Sequence, residues 1–169
     1  MSNIFFYDTI IGRMTIEESD NCITYVHFGE VRRPDSNIIE TDLLKRAGQE
    51  LKEYFEGTRL SFDLPLKMEG TEFQIKVWNA LLQISFGETR SYKEIAEAVG
   101  NPQGSRAVGN ANNKNKISII VPCHRVIGAN GKLVGYEGGL DIKEKLLNLE
   151  KEIISLRHDA EKTVESKVI

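Results

Sequence analysis

Pro122-Cys123-His124-Arg125 sets a thiol beside an imidazole and a guanidinium, directly after a rigid residue. A thiol attacks only as the thiolate, and an adjacent base, a positive charge or a helix N-terminus brings that form within reach near neutrality. Cys123 ends the apolar run Ile117-Ser118-Ile119-Ile120-Val121, which reads as strand-like. Neighbours on an extended strand point to opposite faces, so His124 can serve Cys123 only if the chain turns there or through a bridging water. A histidine base also gains from an orienting carboxylate. Glu150, on the last helix, is the nearest that could face back, while Glu137, Asp141 and Glu144 stay open on pattern. The bland alternative, an inert buried cysteine beside a surface histidine, uses the same residue types. Cys22 lies far upstream, so there is no disulfide framework and no Cys-x-x-Cys spacing, and it is expected to pack within a strand.

These groups must be positioned by elements of two kinds. Ile4-Phe5-Phe6-Tyr7, Met14-Thr15-Ile16 and Ile23 to Phe28, with a polar turn at residues 17–21, predict a three-stranded antiparallel meander. A polar connection over 29–40 leads to an amphipathic helix from Thr41 to Phe55 that stops at Gly57. Leu60, Phe62 and Leu64 alternate like a further strand, and 65–70 reads as a linker. Thereafter helices carry explicit start signals: capping boxes at Thr71–Gln74 and Ser91–Glu94, the first helix closing at Phe86-Gly87 and the second at Gly100. A third helix from Ser105 is rich in small residues, and two short helices across a Gly-containing turn suggest a helix-turn-helix. Asn130-Gly131 signals a tight turn, and Asp141 is the expected N-cap of a last helix that carries Leu146 and Leu149 and frays from about Arg157. The fold class is α/β in the α+β sense: an N-terminal sheet domain with a helix over 1–70, a mostly helical domain over 71–155 and a frayed tail over 156–169.

The chain has 169 residues, 40% apolar and 28% charged, which suits a globular protein and argues against disorder. No run approaches the ~18 apolar residues of a membrane span, and the N-terminus lacks a signal peptide's pattern, so a cytoplasmic protein is expected, or a nuclear one in a eukaryote. The net charge of −3 hides a partition: residues 1–89 carry −6, residues 90–132 carry +5 and residues 133–169 carry −2. A basic block confined to one segment of an acidic chain marks a candidate surface for an anionic partner.

The ordered set Phe73-Gln74, Val77-Trp78, Phe86-Gly87, Ser91-Tyr92, Asn101-Pro102, Arg106-Ala107-Val108-Gly109, Asn115, Pro122-Cys123-His124-Arg125-Val126 and Gly135-Tyr136-Glu137-Gly138-Gly139-Leu140 resembles the O6-alkylguanine-DNA alkyltransferase family across about residues 71–150. The first 70 residues resemble it only loosely. The resemblance implies DNA repair by a single-turnover transfer of the alkyl group from guanine O6, and more weakly from thymine O4, to Cys123. It implies His124 as base acting through water, Glu150 orienting it, and Asn115 bracing the turn that bears the nucleophile. Tyr136 is implied as donor to guanine N3, the backbone at Glu137 as a contact to O6, and carbonyls near Cys123 and Val126 as acceptors for the exocyclic amine. Chemistry at O6 requires extrusion of the nucleotide; the resemblance gives Arg106 the vacated place in the stack and Tyr92 the 3′ phosphate. Ser91 is implied beside them as a DNA-facing position, and Ala107, Gly109 and Ala111 join these because small residues let a helix approach a groove only ~6 Å wide. The implied partner is double-stranded DNA bearing O6-alkylguanine, met by a monomer without cofactor or obligatory protein partner.

Two departures stand out. Glu137 replaces a residue that is small in many relatives, and a carboxylate there would repel phosphates or narrow the range of adducts. Some relatives hold zinc in the N-terminal domain, but Cys22 and His27 are too few for four ligands, so no metal is expected. The competing readings are a non-catalytic binder of alkylated DNA, against which Cys123 speaks, a thiol hydrolase, which leaves Arg106 and Tyr92 without a role, and an operator-reading regulator, whose helix would favour polar side chains.

Overall fold

The computed structural model describes residues 1–167. Strands β1 (Ser2–Thr9), β2 (Gly12–Ser19) and β3 (Cys22–Phe28) form the expected antiparallel meander. The β2–β3 turn is narrower than the polar run suggests. It is the two-residue pair Asp20-Asn21, both at positive φ (53° and 60°), the geometry whose twist matches that of the flanking strands. Glu17 and Glu18 therefore belong to β2 and are buried there.

The sheet has four strands rather than three. Residues expected as connection include β4 (Ser36–Ile38), which pairs parallel to β1 and gives the order β3-β2-β1-β4. Its three residues carry no alternation long enough to announce a strand; the pairing is set by the chain returning along the open edge of β1. Conversely, the strand expected at Leu60–Leu64 does not form. That segment bends at Leu60-Ser61, and contact with β3 comes only after it, where Ile23 N–H donates to Pro65 O (2.8 Å) and Ile23 bridges Leu66. Its alternating Leu60, Phe62 and Leu64 pack against the core without a ladder partner.

Helix α1 (Asp42–Glu56) starts where Thr41 accepts from Leu44 N–H and ends at Gly57 in the left-handed region, which a Cβ would strain. Its Leu44, Ala47, Leu51 and Tyr54 are buried. Helix α2 (Glu72–Leu82) has the full Thr71–Gln74 capping box but closes at Gln83, short of Phe86-Gly87. The short strand β5 (Arg90–Ser91) leads into α3 (Tyr92–Ala98), capped by Ser91 and Glu94, and α4 (Ser105–Asn113) follows across residues 99–104. β6 (Val126–Ile127) pairs parallel with β5, and α5 (Leu140–Lys167) is the last element among the described residues.

Helix α5 departs from expectation at both ends. It begins one residue before Asp141, with Lys143 N–H donating to Gly139 O, so Asp141 lies in its first turn and is not the N-cap. The expected frayed tail over 156–169 continues α5 as far as Lys167, exposed through Glu165; residues 168–169 lie outside the described residues. One cluster of buried apolar side chains runs through both halves, from Met14, Ile16 and Val26 of the sheet to Trp78, Leu81, Val121 and Leu146. Among the described residues no helix is long and apolar enough to cross a membrane.

Candidate active site

The run before the nucleophile is not a strand. Residues 117–121 form a compact loop with Val26 N–H donating to Lys116 O and Val121 N–H to Ile117 O. Ile119 sits at φ 71°, a conformation that a β-branched residue adopts only when its surroundings impose it. Asn115 supplies much of that constraint. Its Oδ1 accepts from Ile117 N–H (3.0 Å) and its Nδ2 donates to Val121 O (2.9 Å), so one buried side chain staples both ends of the loop.

Cys123–Arg125 then form a single 3-10 turn, in which Arg125 N–H donates to Pro122 O and Val126 N–H to Cys123 O. This is the turn that the Cys-His pair needs, since on a strand the two side chains would diverge. Cys123 is 5% exposed and His124 is fully buried. Nε2 of His124 lies 2.6 Å from Oε2 of Glu150, while Nδ1 is buried and makes no hydrogen bond within the protein. With Nε2–H committed to the carboxylate, Nδ1 carries the lone pair.

Glu150 collects donors from four places. Oε2 accepts from the Tyr54 hydroxyl (2.6 Å) and Arg125 Nη2 (3.0 Å) besides His124, and Oε1 accepts from Arg125 Nε (2.8 Å) and Gly87 N–H (3.1 Å). Gly87 has φ 82°, and a Cβ there would strike Ile154 of α5, so the loop reaches Glu150 only with glycine. Burial alone would raise the Glu150 pKa, but the His124 and Arg125 contacts outweigh it and hold the group well below the usual carboxylate range. Burial pushes His124 down, against the pull of Glu150, so the imidazole is neutral near pH 7. Burial pushes the Cys123 thiol up to about 11, opposed by the Asn115 side chain and the Lys143 charge and reinforced by Glu137. The resting group is therefore a thiol that needs a base.

Tyr136 stands over this centre from the loop before α5. Its ring meets His124 edge-on (6.5 Å between centroids) and Phe28 of β3 (5.7 Å), and its hydroxyl is buried without a hydrogen bond within the protein. Burial keeps it protonated. The same loop is held by Tyr92, whose hydroxyl donates to Val134 O (2.8 Å), and by the buried Lys143, whose Nζ donates to Val134 O (3.0 Å) and Gly135 O (3.3 Å). Glu137 is exposed at the rim, and Val126 is buried at the start of β6.

On α4, Arg106 and Ala107 are exposed and Gly109 is half-buried beneath Tyr92. Ala111 is not a groove-facing residue. It lies three positions after buried Val108, is 3% exposed, and its carbonyl accepts from Trp78 Nε1 (2.9 Å). Ser91 spends its side-chain oxygen on the cap of α3.

The structure thus gathers Cys123, His124, Glu150, Asn115, Tyr136 and Val126 at one centre, with Tyr92 on its rim and Arg106 on a neighbouring surface. Sequence reasoning missed Tyr54, Gly87 and Lys143. Lys143, Leu146 and Glu150 share the buried stripe of α5 at three- and four-residue spacing, and that pattern could have singled out the lysine. Among the described residues no group of three or more His, Cys, Asp or Glu is arranged to hold a metal ion.

Comparison with known proteins agrees with this geometry. Residues 72–152 match the model of the 6-O-methylguanine DNA methyltransferase DNA binding domain, and residues 5–68 that family's ribonuclease-like domain. A methylated-DNA–protein-cysteine methyltransferase of Methanosarcina acetivorans is 52% identical, over 85% of this chain and 95% of its own length. The constitutive methylated-DNA–protein-cysteine methyltransferase of Bacillus subtilis is 46% identical, over 85% and 92%. The crystal structure of Mycobacterium tuberculosis OGT in complex with DNA superposes with TM-score 0.84 at 44% identity, covering 89% of this chain and 94% of that one. With nearly its whole length matched in sequence and in fold, and a buried Cys-His-Glu centre at its heart, this chain belongs to the 6-O-methylguanine DNA methyltransferase family.

Proposed function

We propose that this protein repairs alkylated DNA by moving the alkyl group from guanine O6 onto Cys123, once per molecule. The observation that carries the reading is the buried pair Glu150–His124, whose Nδ1 makes no hydrogen bond within the protein, next in sequence to a thiol that cannot ionise unaided. A water between them passes the thiol proton to Nδ1. The sulfur then attacks the alkyl carbon in line: an S–C bond forms as the C–O6 bond breaks, the electron pair leaves onto the guanine, and Glu150 stabilises the imidazolium. The buried Tyr136 hydroxyl donates to N3 of the base, spreading the negative charge as it develops. The exocyclic amine falls to carbonyls near Cys123 and Val126. The Cys123 oxygen already accepts from Val126 N–H and from Asn112, so it is shared with them. A thioether has no leaving group for a second transfer, so the protein is consumed with its substrate.

The partner is double-stranded DNA bearing O6-alkylguanine, with O4-alkylthymine a weaker substrate. Cys123 is nearly closed off, so the base must leave the stack to reach it. Exposed Arg106, on the Ala/Gly-rich face of α4, takes the vacated space from the minor-groove side, with α3 and α4 acting as a helix-turn-helix. Because the Tyr92 hydroxyl is engaged with Val134, Tyr92 presents its ring edge to the 3′ phosphate side. Glu137 at the rim disfavours bulky or anionic adducts. The protein acts as a monomer in the compartment that holds the DNA. The test is to incubate it with duplex containing O6-methylguanine and map the product. A methyl on the Cys123 peptide, absent with Cys123→Ala and with unmodified duplex, supports the reading; no transfer, or transfer elsewhere, overturns it.

A further inference from the structure

Asn112 is a buried amide, 2% exposed, in the last turn of α4. Its Nδ2 donates to the backbone oxygen of Cys123 at 3.2 Å, and its Oδ1 is buried with no hydrogen bond within the protein. A hydrophobic side chain of the same size would fill the space without leaving a polar atom unpaired. What the amide supplies instead is one N–H on the peptide of the nucleophile.

That peptide is fixed on every side. Cys123 N–H donates to Val121 O (2.8 Å), and its oxygen accepts from Val126 N–H and from the Asn112 amide. Val121 and Val126 are local to the active-site turn. Asn112 alone among these partners belongs to α4, the helix whose other face carries Arg106, Ala107 and Gly109. The next residue, Asn113, lies against the Tyr136 loop from the same helix end: a Cβ on Gly135 would come 3.1 Å from its Oδ1. The C-terminal end of α4 therefore touches both the nucleophile's peptide and the loop over it.

We propose that Asn112 is a positioning residue that couples the seating of α4 on DNA to the aim of the Cys123 sulfur. The idea rests on the DNA-repair reading above. In-line displacement is sensitive to the angle and distance of attack, and a misplacement of ~1 Å costs on the order of a hundredfold in rate. A helix displaced by groove contact moves the Cys123 carbonyl through this hydrogen bond, so DNA that does not seat α4 leaves the sulfur poorly aimed.

Two substitutions and one measurement on the unaltered protein test it. Asn112→Leu keeps the volume and removes the donor; Asn112→Asp keeps the shape and sets an oxygen against the Cys123 carbonyl. The expected result is a transfer rate at saturating O6-methylguanine duplex lowered roughly ten- to a hundredfold, more for Asn112→Asp, with affinity for unmodified duplex within about twofold. The backbone ¹³C resonance of the Cys123 carbonyl, labelled selectively, shifts in both variants. In the unaltered protein it shifts on adding unmodified duplex. A rate that falls only as affinity falls, or a Cys123 carbonyl resonance that duplex leaves in place, overturns the coupling, and the second measurement stands even if neither variant folds. Failure of the unaltered protein to move a methyl at all would instead overturn the repair reading.

Discussion

The two sides of the His124 ring are built on opposite principles. Toward Glu150 every polar group is paired: a carboxylate receives His124, Tyr54, Gly87 and two nitrogens of Arg125, and another Arg125 nitrogen reaches Ile84 O. Away from Glu150, the His124 Nδ1 and the Tyr136 hydroxyl are buried and unpaired within the protein. A folded chain normally satisfies such atoms, because each costs about 1–3 kcal/mol when left alone. The difference separates scaffold from instrument: the paired side fixes the ring and its tautomer, and the unpaired side is complementary to something that arrives later. Substitutions on the first side should cost both stability and rate; those on the second should cost rate alone.

Glu150→Gln is the hardest blow to that contrast. It strands the Arg125 guanidinium in the interior, so urea titration should show a loss of about 3–5 kcal/mol and transfer should slow by more than about a hundredfold. A variant of ordinary stability would mean that the hub is not a scaffold. Tyr136→Phe is the counterpart. It should slow transfer roughly ten- to a hundredfold while leaving stability unchanged or up to about 1 kcal/mol higher, since an unpaired hydroxyl is removed from the interior. A clear loss of stability would place Tyr136 on the scaffold side. Arg106→Ala, outside both, should change stability by no more than about 0.5 kcal/mol. It should slow transfer from duplex about tenfold yet leave reaction with free O6-benzylguanine nearly intact, and equal losses on the two substrates would remove Arg106 from extrusion.

The smallest effect is in pH. Burial pushes the His124 pKa below its ordinary 6.5. The unfolded chain therefore takes up this proton at a higher pH than the folded one. The contribution of neutral His124 is complete above 6.5 and is lost as pH falls from there through the folded value. Chemical denaturation at about pH 7.5 and about pH 5.5 should show a steeper loss for the unaltered protein than for His124→Gln, and parallel losses would mean that the ring is not held neutral.

What could be read in advance follows from distance along the chain. The Thr41 cap, the Gly57 stop and the capping boxes at Thr71 and Ser91 are determined by residues within four positions of one another, and they stand where the spacing puts them. Cys123 and His124 were legible because their chemistry is unusual together, whereas pattern left Glu150 beside Glu137, Asp141 and Glu144 and only the resemblance singled it out. The parallel pairing of β4 with β1 joins residues 34 positions apart through backbone groups that every residue possesses, so no side-chain pattern marks it. The Leu60–Leu64 alternation shows the converse: a period of two reports one buried face and does not report a ladder partner. Tyr54 meets Glu150 across 96 positions, and only the packing of α1 against α5 brings them together. Ala111 was misplaced because a small residue suits a groove and a close helix contact equally well, and the three-residue step from Val108 settles which.

We infer that Cys123 is an acceptor used once. It is tested most directly by mixing the protein with a severalfold excess of O6-methylguanine duplex and following methyl groups transferred per chain to the plateau. The expected plateau is one methyl per chain, all of it on Cys123 and none with Cys123→Ala. Continued transfer past one equivalent, or a plateau that survives loss of the thiol, would contradict it.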